Sequence, residues 1–326
     1  MNFVISVVIP THNRSDALEL TLQNLAGQKF DQTWEVIVVN NNCSDNTDEV
    51  VSSQKFPVPL RLLHESRPGA AAARNRGVQA STAEFIVFID NDILTEPDFL
   101  EQHLKALREN PQSWIVGQIV NLPEQENSTL GAFRRSLFAS TESQETQEIF
   151  GFTGANSSLP RRDFEQLNGF DENFNVASGE DQELAIRGRK QLGIKTILVP
   201  KIVVVHNDWA GWSFHDFCLR QRIYARTEFL FWQKYGDEHP RQQLVKENLP
   251  VDWQNDSLKL IFRKNVKRFL SNSLSQAALI KLSLLMEKTI PYRPVLWRLY
   301  KLALAGAIHG GFQEGRMSVL NKKSHN

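Results

Sequence analysis

Asp90-Asn91-Asp92 follows the apolar run Phe85-Ile86-Val87-Phe88-Ile89 without a spacer. Two carboxylates one residue apart at the end of a buried strand can be aimed differently, one at a nucleoside and the other at a divalent cation that neutralises a diphosphate. The same pair also suits a helix cap or a solvated turn, so the spacing alone does not decide between them.

The elements around the pair narrow the choice. Phe3 to Pro10, Trp34 to Val39, Leu60 to Leu63 and Phe85 to Ile89 are short, mostly β-branched or apolar runs, the signature of strands covered on both faces. Between them lie helix patterns: Ser15 to Leu25 with Leu18, Leu22 and Leu25 at spacings of three and four, Ser44 to Val51, and Gly69 to Ala80. This alternation predicts a doubly wound, mostly parallel α/β sheet whose ligands lie beyond the carboxyl ends of the strands. Asp90 and Asp92 stand at such an end, which favours the functional reading.

Farther along, the pattern predicts a helix over Phe99 to Glu109, a strand over Trp114 to Val120, and a polar loop with some helix over Pro123 to Glu148. A strand over Asn156 to Leu159, helices over Arg161 to Leu167 and Glu180 to Leu192, and a strand over Thr196 to His206 come next. Beyond Ser213 the chain reads as helical, broken by prolines. The expected organisation is an α/β domain over residues 1–212 and a basic helical region over 213–326.

Several further motifs occur in order. They are Ser6-Val7-Val8-Ile9-Pro10-Thr11-His12-Asn13-Arg14, Val36 to Val39 followed by Asn40-Asn41-Asn42-Cys43-Ser44-Asp45, and Arg67-Pro68-Gly69 leading to Ala73-Arg74-Asn75-Arg76-Gly77. After Asp90-Asn91-Asp92 come Gly169-Phe170-Asp171-Glu172 and Gly179-Glu180-Asp181-Gln182-Glu183-Leu184. Over roughly the first 210 residues the set resembles glycosyltransferase family 2.

The resemblance implies a GT-A, Rossmann-like fold, a nucleoside-diphosphate-sugar donor, Mn2+ or Mg2+ as cofactor, and inversion at the anomeric carbon. It implies Asp92 as metal ligand, with Asp90 sharing the metal or approaching the ribose and His206 as a further ligand; His206 also suits a hydrogen-bonded structural role. Asp181 is the implied base that takes the acceptor proton, with Glu180 beside it, although acids here also favour a helix N-terminus electrostatically. Pro10, Thr11, Asn13, Arg14, Asn40, Asn42, Gly69, Arg74 and Asn91 are expected around the donor. Asn40 stands where relatives often have an aspartate, and an amide donates as well as accepts. Arg74 suits contact with the diphosphate, pairing with Asp90, or an exposed helix position. Gly154 and Asn156 are expected to border the acceptor site, and Trp209 and Trp212 to stack on a sugar or pack in the core.

Composition sets the outer limits. The 326 residues carry 37 Lys and Arg against 37 Asp and Glu, so no overall field favours nucleic acid. From Ser257 onward, however, thirteen basic residues face two acids, which suits peripheral contact with an anionic membrane face as well as a solvated helix surface. Two cysteines without metal spacing, no leader-like N-terminus and no apolar run near the ~20 residues of a spanning helix point to the cytoplasm. The acceptor class implied is a saccharide or glycolipid. A dinucleotide-dependent oxidoreductase is disfavoured because no G-x-G-x-x-G follows the first strand. A nucleotidyltransferase would want a Gly-rich, Arg-bearing loop there, and a non-catalytic sugar-nucleotide binder is hinted at only by Asn40.

Overall fold

β1 (Ile5–Thr11) buries Val7 and Ile9 towards one side of a sheet and Val8 towards the other, as strand alternation requires. It lies between β2 (Trp34–Asn40) and β4 (Phe85–Ile89), parallel to both, and β3 (Leu60–His64) extends the parallel half beyond β2. The computed structural model describes residues 3–138, 144–174, 179–208, 213–236, 241–289 and 293–323.

The helices follow from amphipathic spacing. α1 (Ser15–Leu25) buries Leu18, Leu22 and Leu25 against the β1 face that carries Val7 and Ile9, and α4 (Phe99–Glu109) adds Leu100, Leu104 and Leu107 to the same cluster. On the opposite face Phe88 meets the rings of Phe152, Phe164 and Phe170, with α3 (Ala70–Ala80) and α8 (Glu180–Leu192) contributing Val78 and Leu184. α2 (Thr47–Ser53) completes the crossover from β2 to β3.

The other half of the sheet is mixed. β8 (Asn156–Pro160) runs antiparallel to both β4 and β6 (Ser113–Asn121), β6 and β9 (Lys195–His206) are parallel, and the short β5 (Ile93–Thr95) and β7 (Gln147–Ile149) run antiparallel to β9. The order is β3-β2-β1-β4-β8-β6-β9-β5, with β7 paired to β9 off this path, and the short α5 (Pro123–Glu126) and α7 (Arg161–Gln166) follow β6 and β8. Parallel neighbours need a long crossover, and the βα repeats before β4 supply them; β8 instead enters from the Phe152–Ala155 segment, and antiparallel pairing demands no crossover helix.

Two registers bring distant strand ends together. Thr11 pairs with Asn40, so the segments leaving β1 and β2 emerge side by side. Ile93 pairs with His206, which brings the residues after β4 to the end of β9.

The chain forms two compact units. The sheet unit comprises Met1–Glu124 and Phe138–Asp208; the helical unit comprises Gln125–Leu137 and Trp209–Asn326. In the second, Phe133 of α6 (Thr129–Phe138), Phe214 of α9 (Phe214–Tyr235) and Tyr300 of α13 (Arg293–Lys323) form an aromatic core, with Phe214 and Tyr300 stacked at 3.8 Å. α10 (Gln242–Asn248), α11 (Leu258–Leu270) and α12 (Ser273–Thr289) pack on α13. Among the described residues no helix is long and apolar enough to cross a membrane.

Candidate functional site

The turn after β4 splits its three polar side chains. Asn91 is buried: its Nδ2 donates to Thr11 Oγ1 at 2.8 Å, and its carbonyl accepts from Thr21 Oγ1 at 2.9 Å. With Asn91 pinned to β1 and α1, the flanking carboxylates of Asp90 and Asp92 take different partners.

Asp92 is buried and meets a guanidinium and an imidazole. Arg14 Nη1 donates to its Oδ2 at 2.8 Å, and His206 Nε2 lies 3.3 Å from the same oxygen. Arg14 Nη2 reaches Asp208 at 2.9 Å. Asp92, His206 and Asp208 each offer a ligand atom within 4.8 Å of the others. The β5–β9 pairing builds this group, and the Asn207 amide donating to the Asp92 carbonyl at 2.8 Å closes it. Burial raises the Asp92 pKa, but His206 and Arg14 outweigh it and hold the carboxyl below its usual value. Burial likewise lowers the His206 pKa, and the hydrogen bond and charge of Asp92 reverse that shift.

This donor set fits a divalent cation. Two carboxylates and one imidazole suit Mn2+, and Mg2+ accepts the carboxylates. Asp92 Oδ1 is buried without a hydrogen-bond partner among the described residues. An orphaned buried acceptor costs ~1–3 kcal/mol, which a bound cation would recover.

Arg74 organises a second cluster. It is buried in α3; its Nη2 donates to Asp90 at 2.8 Å and its Nη1 to Glu180 at 2.9 Å. Gly154 makes room for it, because a Cβ at that position would fall 2.2 Å from the guanidinium carbon. Glu180 and Asp181 open α8, where helix amides favour negative charge. Burial nevertheless pushes both carboxyls up; their mutual proximity raises Glu180 further, and Arg74 opposes the shift in both. Asp181 is partly exposed, with its Oδ1 accepting from the Gln182 amide at 2.8 Å, whereas Glu180 is buried with Oε2 lacking a partner among the described residues.

The loops beyond β1 and β2 are tied together. Asn13, at a left-handed φ of 50°, accepts from the Ser44 amide at 2.6 Å, and the Ser15 amide donates to Asp45. Asn40 donates to Asp48 at 2.6 Å while its Oδ1 accepts from the Cys43 amide. Asn42, also left-handed, donates to the Ser66 carbonyl. Asn41, not among the residues expected at the donor, takes the Gly69 amide at 2.8 Å and donates to the Glu65 and Arg67 carbonyls. Gly69 has φ 115°, open to a residue without a side chain, and so turns the chain into α3. Pro10 and Thr11 end β1 beneath these loops.

Some expected residues stand elsewhere in the arrangement. Arg14, expected around the donor, faces the Asp92 and Asp208 carboxylates. Asp90, expected to approach the ribose or share the metal, holds Arg74, one of the pairings open to that arginine, and lies outside the Asp92–His206–Asp208 group. Asn156, expected at the acceptor site, is wholly buried, and its amide is engaged with His103 and the Gln118 and Ile202 carbonyls. Trp209 and Trp212 lie outside the described residues. Asp208 was not expected; a carboxylate two positions past a histidine that ends a strand was the available signal.

Residues 6–167 match the family described as glycosyl transferase family 2, and residues 134–204 match the N-terminal domain of galactosyltransferase. The chain belongs to glycosyltransferase family 2. Validoxylamine A glucosyltransferase of Streptomyces hygroscopicus subsp. jinggangensis is 28% identical over 216 residues, covering 56% of this chain and 51% of that protein. The amylovoran biosynthesis glycosyltransferase AmsB of Erwinia amylovora is 30% identical over 206 residues, covering 60% of this chain and 66% of that one. The chain thus spans about half the length of the validoxylamine A glucosyltransferases it matches.

Among solved structures, the mannosyltransferase PcManGT from Pyrobaculum calidifontis, in complex with GDP-Man and Mn2+, superposes with a TM-score of 0.59 at 22% identity. The match covers 95% of this chain and 87% of that one. The fold of this family 2 member is GT-A, with a C-terminal helical region.

Proposed function

We propose that this chain transfers a sugar, of the hexosyl type, from a nucleoside-diphosphate donor to a saccharide or lipid-linked hydroxyl, with inversion at the anomeric carbon. The observation that carries the reading is the meeting of Asp92, His206 and Asp208 beside the Arg74-bridged Asp90 and Glu180, all in the sheet unit. The complex of the similar PcManGT with GDP-Man and Mn2+ supports a nucleotide-sugar donor and a metal, and the likeness to AmsB supports work in polysaccharide assembly.

Asp92, His206 and Asp208 would hold Mn2+ or Mg2+, which when bound supplies counter-charge to the departing diphosphate. The Thr11, Asn13, Asn40, Asn42 and Gly69 segments would cradle the nucleoside, with Pro10 and Asn91 shaping the floor. Asp181 would take the acceptor proton as the new C–O bond forms and the bond to the nucleoside diphosphate breaks. Glu180, fixed by Arg74, would orient donor or acceptor groups, and Gly154 would keep Arg74 in place. On this reading the chain works on the cytoplasmic side, and its basic C-terminal region touches the membrane peripherally.

Thermal shift with UDP- and GDP-sugars, with and without Mn2+, tests the reading, because a ligand that binds only the folded state raises apparent stability. One donor should raise the Tm in a Mn2+-dependent way. Asp92→Asn should abolish that dependence and cut turnover about 10²–10³-fold, the scale of losing one transition-state charge contact. Indifference to every nucleotide sugar, or parent-like turnover in Asp92→Asn, would overturn the proposal.

A further inference from the structure

α11 presents its large apolar side chains to solvent. Leu258, Phe262 and Phe269 fall on one helical stripe and are 86%, 69% and 68% exposed. The opposite face is anchored: Leu260 and Lys264 are buried, with Lys264 Nζ held by Asp256 at 2.6 Å and by the Pro250 carbonyl at 2.9 Å. The orientation of α11 is therefore fixed by buried contacts, and the stripe faces outward with it.

The stripe has apolar neighbours on both sides in sequence. Trp253 in the preceding turn is 77% exposed, and Leu274 at the start of α12 is 82% exposed. Along α12, Leu274, Ala278, Lys281, Leu285 and Lys288 follow one another on an exposed face.

The charge accompanying these residues is positive. From Ser257 to Thr289 there are seven Lys and Arg and one acid, Glu287. Lys264 is spent on Asp256, and Arg263 and Lys267 share Glu247. Lys259, Arg268, Lys281 and Lys288 are exposed and have no acidic partner among the described residues. Bulky apolar groups flanked by unpaired cations complement a surface with anionic headgroups over hydrocarbon.

We propose that the exposed faces of α11 and α12 dock this chain on an anionic lipid bilayer, with Trp253, Leu258, Phe262, Phe269 and Leu274 entering the headgroup region and Lys259, Arg268, Lys281 and Lys288 meeting lipid phosphates. This rests on the proposed function only for its purpose, bringing the enzyme to a lipid-linked acceptor; binding itself is independent of turnover.

Co-sedimentation of the full chain with phosphatidylcholine vesicles containing about one-third phosphatidylglycerol tests it. Partitioning should exceed that on pure phosphatidylcholine about tenfold or more and weaken with salt. Lys259→Gln and Arg268→Gln should each cost about fivefold. Phe262→Ser/Phe269→Ser should remove most binding while leaving the Tm and the Mn2+-dependent donor response unchanged, because these rings touch solvent. Equal partitioning of the parent and the double serine variant would overturn the proposal. So would a concentration-dependent dimer in analytical ultracentrifugation that the serine variant abolishes without any vesicle binding, which would make the occupant a second copy. Neither outcome touches glycosyl transfer, and failure of the donor response would leave vesicle binding standing.

Discussion

Arg14 Nη1 meets Asp92 Oδ2 at 2.8 Å, and the other terminal nitrogen of the same guanidinium meets Asp208 at 2.9 Å. A side chain cation thus bridges the two carboxylates that, with His206, would ligate a divalent ion. Two cations cannot both satisfy one pair of carboxylates at full strength, so Arg14 would compete with a metal bound there.

The competition sets a direction for Arg14→Met. Each charge-assisted hydrogen bond contributes ~1.5–3 kcal/mol, part of which the metal must displace. In the absence of nucleotide, isothermal titration of the variant with Mn2+ should show binding about tenfold or more tighter than the parent. Unchanged or weaker Mn2+ binding would mean that Arg14 helps assemble the ligand set and does not compete for it.

Asp181 yields a prediction on rate and pH. A base acts in the transition state, so Asp181→Asn should lower kcat about 10²–10⁴-fold and leave donor affinity within a few-fold. Burial holds the Asp181 carboxyl above the ordinary aspartate value of ~3.9. Activity should therefore fall as pH drops through this raised pKa, with the acid limb of the kcat profile above that of a free carboxylate. Arg74 lowers the pKa of both acids at the start of α8, so Arg74→Gln should shift the limb to still higher pH. A limb that stays put in Arg74→Gln, measured beside a loss of donor binding in Asp181→Asn, would remove Asp181 from the role of base.

Half of the sheet was legible in the sequence because buried strands and amphipathic helices leave periodic marks. The β1 to β4 half emerges as read, and Glu180 to Leu192 is a helix with those bounds. Strand direction beyond β4 leaves no such mark: Asn156 to Pro160 has the residues of a strand whichever way it runs, and only its register with Ile89 and Phe85 reveals antiparallel pairing. The site divides in the same way. Asp92 and His206 stand out in the sequence as polar residues at strand ends, whereas their meeting with Asp208 and the turn of Arg14 towards it depend on contacts up to 194 residues apart in the chain. Asn156, expected to border the acceptor site, is a polar type whose availability the sequence cannot show; here its amide satisfies buried carbonyls.

The other partner of Asn156 supplies a stability prediction. His103 on α4 is fully buried; its Nε2 is 3.0 Å from Asn156 Oδ1, and its Nδ1 is 2.8 Å from Ser158 Oγ. Asn156 Nδ2 already donates to two carbonyls, which leaves Oδ1 to accept, so Nε2 carries the proton and Nδ1 accepts from the serine hydroxyl. Burial pushes the imidazole pKa down to about 4, well below the ~6.5 of an unfolded chain. The unfolded state therefore binds a proton first as pH falls, and stability drains away between about pH 6.5 and pH 4, reaching about 3 kcal/mol when complete. His103→Gln can donate to Asn156 but does not titrate. Its urea midpoint should be lower than the parent's at pH 7 and should fall less steeply between pH 6.5 and 5, a window above most carboxylate titrations. His309 is also held down to about 4 and remains in both proteins, so it cancels from the comparison. Parallel slopes for parent and variant would show that the His103 imidazole gains its proton in the folded chain as readily as in the unfolded one.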